Sequence, residues 1–141
     1  MRRFLTRLQP LGLLIMRCAL GAVMIAHGFA KVFHGGFGQN TAAMVAHLGF
    51  PAFLGYVVTY LEFVGGMLLV LGLFTRVIAL LFVIEMLVAI LKVHLSRGIG
   101  TQGGMDLPLA CFAIAFALIF FGAGLISVDH LIFGGGLKSS G

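Results

Sequence analysis

Charge is scarce in this sequence. Only 9% of its residues are Asp, Glu, Lys or Arg, against about a quarter in a soluble domain. A solvated surface of ordinary composition is therefore excluded. Cysteine is rarer still: Cys18 and Cys111 stand alone, with no CxxC spacing, which rules out a disulfide framework and a thiolate metal site. Their depths in the apolar runs differ by more than about 10 Å, too far apart for a disulfide. The formal charge of +5 comes from nine basic residues against four acids. The basic residues form no cluster interleaved with aromatics, so nucleic acid is not an expected partner. The GGFG and GGG runs lack the strand-to-helix setting of a phosphate loop. No flavin, nicotinamide or iron–sulfur motif is present either, and no metal site is expected.

What remains is apolar. Hydrophobic residues make up 61% of 141, more than a soluble domain of this length can hide. Lipid is the expected solvent. Four runs each approach the twenty or so residues needed to cross a bilayer: Leu11–Phe33, Pro51–Phe74, Arg76–Leu95 and Leu107–Ile126. The N-terminal stretch reads like a signal peptide, but Arg17 interrupts its apolar run and no cleavage site follows, so it is read as an uncleaved first helix. Between the first two runs, residues 34–50 are too polar and Gly-rich to span. Thr41–Leu48 is expected to form a short interfacial helix capped by Asn40 or Thr41. Residues 96–106 read as a flexible loop and the Gly-rich tail as mobile. Short connections imply antiparallel neighbours. The expected fold is one all-α domain over 1–141, an integral antiparallel bundle of four transmembrane helices. Arg2, Arg3, Arg7, Arg76 and Lys138 fall on one side, with Lys31, Lys92 and Arg97 on the other, which places both termini in the cytoplasm. Small residues such as Gly21, Gly28, Gly65 and Gly66 suit close helix packing.

Ionisable groups at membrane depth are costly and turn inward. By helix rise, Arg17 lies about 9 Å from the cytoplasmic end of its run, Glu85 about 13 Å from the same side, and Glu62 about 16 Å from the other. Arg17 is expected to pair with one acid in a bidentate ion pair, leaving the second free to carry a proton. A purely structural ion pair is the alternative. Nearer the outer face, His27, Lys31 and His34 share one helix face, with Lys92 and His94 at matching depth and His47 and Asp106 in nearby loops. These can line a polar pocket opening outward, or simply sit at the interface. Asp129, at the cytoplasmic end, is expected to pair with Arg76.

The order of these residues resembles the DoxX family. Arg17-x3-Gly21 and His27-Gly28-x2-Lys31 resemble its first helix, and Glu62-Phe-Val-Gly65-Gly66 through Gly72-Leu-Phe-Thr-Arg76 its second motif. Met86, Ala89 and His94, and the ending Gly122 to Asp129, fit as well. Asp106 stands where many members carry Glu, keeping the carboxylate but shortening its reach. The resemblance implies a small four-helix protein of the bacterial inner membrane. Members are regarded as oxidoreductases; some relatives form the membrane part of thiosulfate:quinone oxidoreductase, and others are linked to oxidative stress or quinone detoxification.

The resulting expectation is a quinone-linked membrane oxidoreductase, or the membrane subunit of one. Glu62 and Glu85 would handle protons; Arg17, His27, Lys31 and His94 would bind the ligand. Quinone is the candidate cofactor, with haem, held by two histidines at one depth, the lesser one. Electrons would come from a soluble or membrane redox partner, a bound cofactor or the substrate; a homo-oligomer is also allowed. Two other readings compete. One is a non-catalytic membrane anchor or assembly scaffold for a soluble redox enzyme. The other is a small transporter, for which the sequence offers no inverted repeat and no mid-span break.

Overall fold

A computed structural model describes residues 1–134, and all regular structure among them is helical. The expectations placed on Lys138 and on the mobile tail lie outside the described residues. Helix α1 covers Arg2–Phe33, α2 Gln39–His47, α3 Phe53–Leu71, α4 Thr75–Arg97, α5 Asp106–Phe121 and α6 Val128–Phe133. Of these, α1, α3 and α4 are long and apolar enough to cross a membrane, and α5 is a shorter apolar helix.

Several boundaries differ from the sequence expectation. Helix α1 begins at Arg2 rather than Leu11, because Pro10 is carried inside it and the charged first turns continue the helix beyond the apolar run. Helix α2 is capped by neither Asn40 nor Thr41. Gly38 precedes it at φ +100°, a left-handed conformation that suits glycine, and Thr41 is buried. Helix α5 stops at Phe121 instead of Ile126 because Gly122 and Gly124 take φ near +72° and +80° and break the ladder. Its 16 residues reach about 24 Å. The chain then runs irregularly to Ser127, whose hydroxyl accepts from His130 N–H to cap α6.

Helix α1 packs against α3 and α5, and α5 against α4. The shared core is apolar, built on Leu20, Met24, Leu69, Phe82 and Leu118. The outward faces are apolar too, with Ile15, Val77, Phe116 and Phe120 exposed. A protein apolar both inside and out is suited to lipid, and this one is a membrane protein.

Helices α1 and α3 approach at glycines. A Cβ on Gly21 would meet Gly66 O, and one on Gly28 would strike the backbone of Phe63. Gly28→Ala should therefore force the two helices apart at the level of Lys31 and lower stability by about 1–3 kcal/mol. Gly12, with nothing near its would-be Cβ, is the control: Gly12→Ala should leave thermal unfolding in detergent unchanged. Equal unfolding temperatures for the two variants would show that the close approach does not matter.

Helices α3 and α4 pack against each other on the side of their connecting turn. There Gly65 lies against Ile78 and Phe82. Farther from the turn a cavity is lined by both helices.

Candidate functional site

Glu62 sits in a π-helical turn, Leu61–Gly65, in the middle of α3. The extra residue per turn interrupts the regular ladder, a feature frequent at functional sites. Two glycines that close or follow the turn, Gly65 and Gly66, let neighbouring helices crowd against it. Glu62 is only 4% exposed. Lys31, in the last turn of α1, donates to its Oε1 at 2.8 Å and lies 2.7 Å from Oε2, the latter an ionic contact outside hydrogen-bond geometry. One ammonium thus straddles one carboxylate.

Glu85 comes from α4 and lines the same cavity as Glu62, near enough for the two carboxyls to feel each other's charge. Its Oε2 is buried and receives no hydrogen bond among the described residues. A carboxylate has no donor, so two carboxyls can bond to each other only by holding a proton between them. Lys31, Glu62 and Glu85 therefore form a triad able to hold one proton beside one fixed positive charge.

The triad lies in a cavity of about 820 Å³. Its walls are mostly apolar, with Val57 and Leu61 from α3 and Leu81, Ile84 and Val88 from α4. Helix α2 closes one side through Thr41, Met44 and Val45. His27 and His94 line the cavity at the same end. Each Nδ1 bonds a backbone carbonyl, Val23 O and Ala89 O, both at 2.9 Å, leaving Nε2 without a partner among the described residues. His94 closes a second π-turn, Ile90–His94. Asp106 stands at the mouth, its carboxylate accepting from Gly100 N–H. The arrangement can seat a large, mostly apolar molecule and offer its polar end an ammonium, an acid pair and two imidazoles.

Of the six expected site residues, the structure gathers five: His27, Lys31, Glu62, Glu85 and His94. The acids at mid-depth and the outer histidine–lysine group, which read as two clusters in sequence, are one site. Arg17 is elsewhere, and its expected pairing with Glu62 or Glu85 is not what forms. Its Nε donates to Leu69 O at 2.7 Å, and its terminal nitrogens reach Val70 O, Ile126 O and Ala123 O. The first two are carbonyls of the last turn of α3, of which Leu69 O also accepts from Gly72 N–H; the other two belong to the irregular segment after α5. Arg17 answers carbonyls at and beyond helix ends, not acids. Likewise Asp129 does not pair with Arg76. It accepts from Phe74 N–H at 2.7 Å and Thr75 N–H at 2.9 Å, capping α4, while Arg76 reaches Phe120 O. His34, His47 and Lys92 do not line the cavity. Cys111 does, beside the acids, and both cysteines are free. Its position one turn past Asp106 and Leu107 is the only sequence sign of that role.

Residues 12–95 match the family model described as DoxX. The chain belongs to the DoxX family. All five gathered residues fall within that match. A Bacillus subtilis (strain 168) protein named "Putative oxidoreductase CatD" is 31% identical over 125 residues, covering 89% of this chain and 90% of its own length. A Haemophilus influenzae (strain ATCC 51907 / DSM 11121 / KW20 / Rd) relative, named only as an uncharacterized protein, is 30% identical over 137 residues, 92% of this chain and 96% of its own. No solved structure matches the chain.

Proposed function

We propose that this DoxX protein is a quinone-linked oxidoreductase of the bacterial inner membrane, or the membrane component of one. It forms a single domain over residues 1–141, crosses the bilayer four times and keeps both termini in the cytoplasm, so that α2 and the 98–105 loop face outward. The observation that carries the ligand reading is where the cavity opens. Val57 and Ile84 line it and are 52% and 53% exposed on the outward faces of α3 and α4. In a bilayer those faces meet lipid tails, so a long apolar ligand has a route from the membrane to the triad. At the inner end Lys31 offers a donor to a carbonyl oxygen, His27 and His94, whose Nδ1 protons are spent on backbone carbonyls, offer Nε2 as acceptors to a hydroxyl, and the Glu62–Glu85 pair supplies or accepts protons. A quinone fits both ends: its tail is lipophilic, and its head takes up two protons with the two electrons that make it a quinol. Electrons come from a redox partner. The wording of the Bacillus subtilis relative's name supports the same class for this chain.

A test uses protein purified gently with its own lipids. Wild type should release an isoprenoid quinone on solvent extraction. Ile84→Trp, which fills the gap at an exposed position, should retain several-fold less at unchanged unfolding temperature. Recovery of neither quinone nor any other lipophilic redox ligand from wild type would sink the reading. Equal recovery from the variant would remove the proposed route.

A further inference from the structure

Between the triad and Arg17 the interior holds no polar side chain on any of the four long helices' buried faces. The layer is Leu20 and Met24 on α1, Leu69 on α3, Phe82 on α4, and Ala115 and Leu118 on α5, each 2% exposed or less. From Glu85 to Ile78 this packing is about 10 Å deep. Beyond it Arg17 spends its donors on four backbone carbonyls. A proton needs a chain of acids, imidazoles or water to travel through a membrane interior, and close-packed apolar side chains leave no room for water.

The opposite end differs in every respect. Lys31 and His27 on α1, Thr41 on α2, His94 on α4, Asp106 and Cys111 on α5 and Thr101 in the loop all line the cavity around the two acids. Thr101 and Asp106, at the loop end of this cavity, are exposed, so the cavity that holds the acids carries polar side chains as far as the loop that faces water.

We infer that Glu62 and Glu85 exchange protons with water only on the face of the membrane where α2 and the 98–105 loop lie, and not with the face of the Gly72–Phe74 turn. The acid pair is a one-sided proton port. If the cavity holds a lipophilic redox ligand as proposed above, every proton that ligand takes or yields crosses the α2 half of the bilayer alone. Turnover then changes pH on that side and leaves the other untouched. This one-sidedness is set by the apolar layer and holds whether or not a ligand is bound.

The test needs no ligand. Full-length protein is reconstituted in sealed vesicles, and fractions of opposite orientation are separated by which arginines external trypsin reaches: Arg97 in the loop, or Arg2, Arg3 and Arg7. External pH is jumped while infrared absorption follows the protonated-carboxyl stretch, assigned by its loss in Glu62→Gln and Glu85→Gln. With Arg97 outside, the band should follow the jump at once. With Arg97 inside, it should respond only after a protonophore equilibrates the lumen. Equal speed in both orientations, faster response from the Arg2 face, or no titrating band assigned to either acid would each overturn the inference. Because the vesicles carry no added quinone, a one-sided response together with failed quinone extraction would sink the ligand reading alone.

Discussion

Arg17→Met should cost the folded protein at least about 3 kcal/mol, since hydrogen bonds to a buried charged group are worth about 1.5–3 kcal/mol each and are not additive. The guanidinium side chain is 1% exposed and joins two parts of the chain that Asp129 also ties, through its N–H to Gly72 O. On one side are Leu69 and Val70, on the other Ala123 and Ile126. Methionine fills the same space but takes a donor from four carbonyls, of which Leu69 O keeps Gly72 N–H. Arg17→Lys is the instructive companion. It keeps the charge but places its donors on a single nitrogen, which cannot reach both segments, so its loss should fall between wild type and methionine. Gly72 adds a second dependence: a Cβ there would press on both Arg17 and Ser127. Circular dichroism during heating in detergent checks the order. An Arg17→Met protein that unfolds at the wild-type temperature would show that the clamp contributes nothing. Neither variant should change the titration of the acid pair, because Arg17 does not contact it.

Lys31→Met should be nearly as severe, for a different reason. It strands the Glu62 carboxylate in an apolar site with no base, and breaking a buried pair from one side costs about 3 kcal/mol. Lys31 is partly exposed, 27% against 5% for Glu62, so the penalty lies mostly with the acid. Removing both partners, as Lys31→Met with Glu62→Leu, should recover most of the lost stability, because an ion pair replaced by well-packed apolar side chains is often neutral. Quinone retention should not return. That split separates a ligand site from a membrane anchor held together by charge. A double variant that regains both stability and retained quinone would mean that the pair is glue. A double variant no more stable than Lys31→Met would mean that the charge on Glu62 was not the source of the cost.

Much of the site was legible one helix at a time. His27 and Lys31 share a face by their i, i+4 spacing, and helix rise alone puts Glu62 and Glu85 in the middle of their spans. What spacing along a helix cannot supply is rotation between helices. Arg17 lies within reach, by depth, of either acid, and the choice fell to carbonyls because the end of α3 and the segment after α5 present acceptors at its own level. The π-turn at Leu61–Gly65 was equally hidden. It changes the direction in which Glu62 points without leaving any mark in hydrophobic periodicity. In α5 the apolar residues surround the whole helix, so no face stood out, and the place of Cys111 on the cavity wall had to come from packing. The end of α5 was readable only in part: Gly122 and Gly124 are visible in sequence, but their left-handed backbone is a property of the fold.

By itself the sequence determined the solvent. Composition and the length of the apolar runs require hydrocarbon around this chain, because the energy of burying apolar area sums over residues whatever their arrangement. The tertiary structure alone decided which buried charges meet. Pairing depends on how far apart two helices stand and how each is turned, and those are set by glycine contacts such as Gly28 on Phe63 and by helix ends seeking donors. The gap between α3 and α4 is the same kind of result. No residue in it encodes a cavity; it lies beyond the close approach of Gly65 to Phe82, lined by both helices.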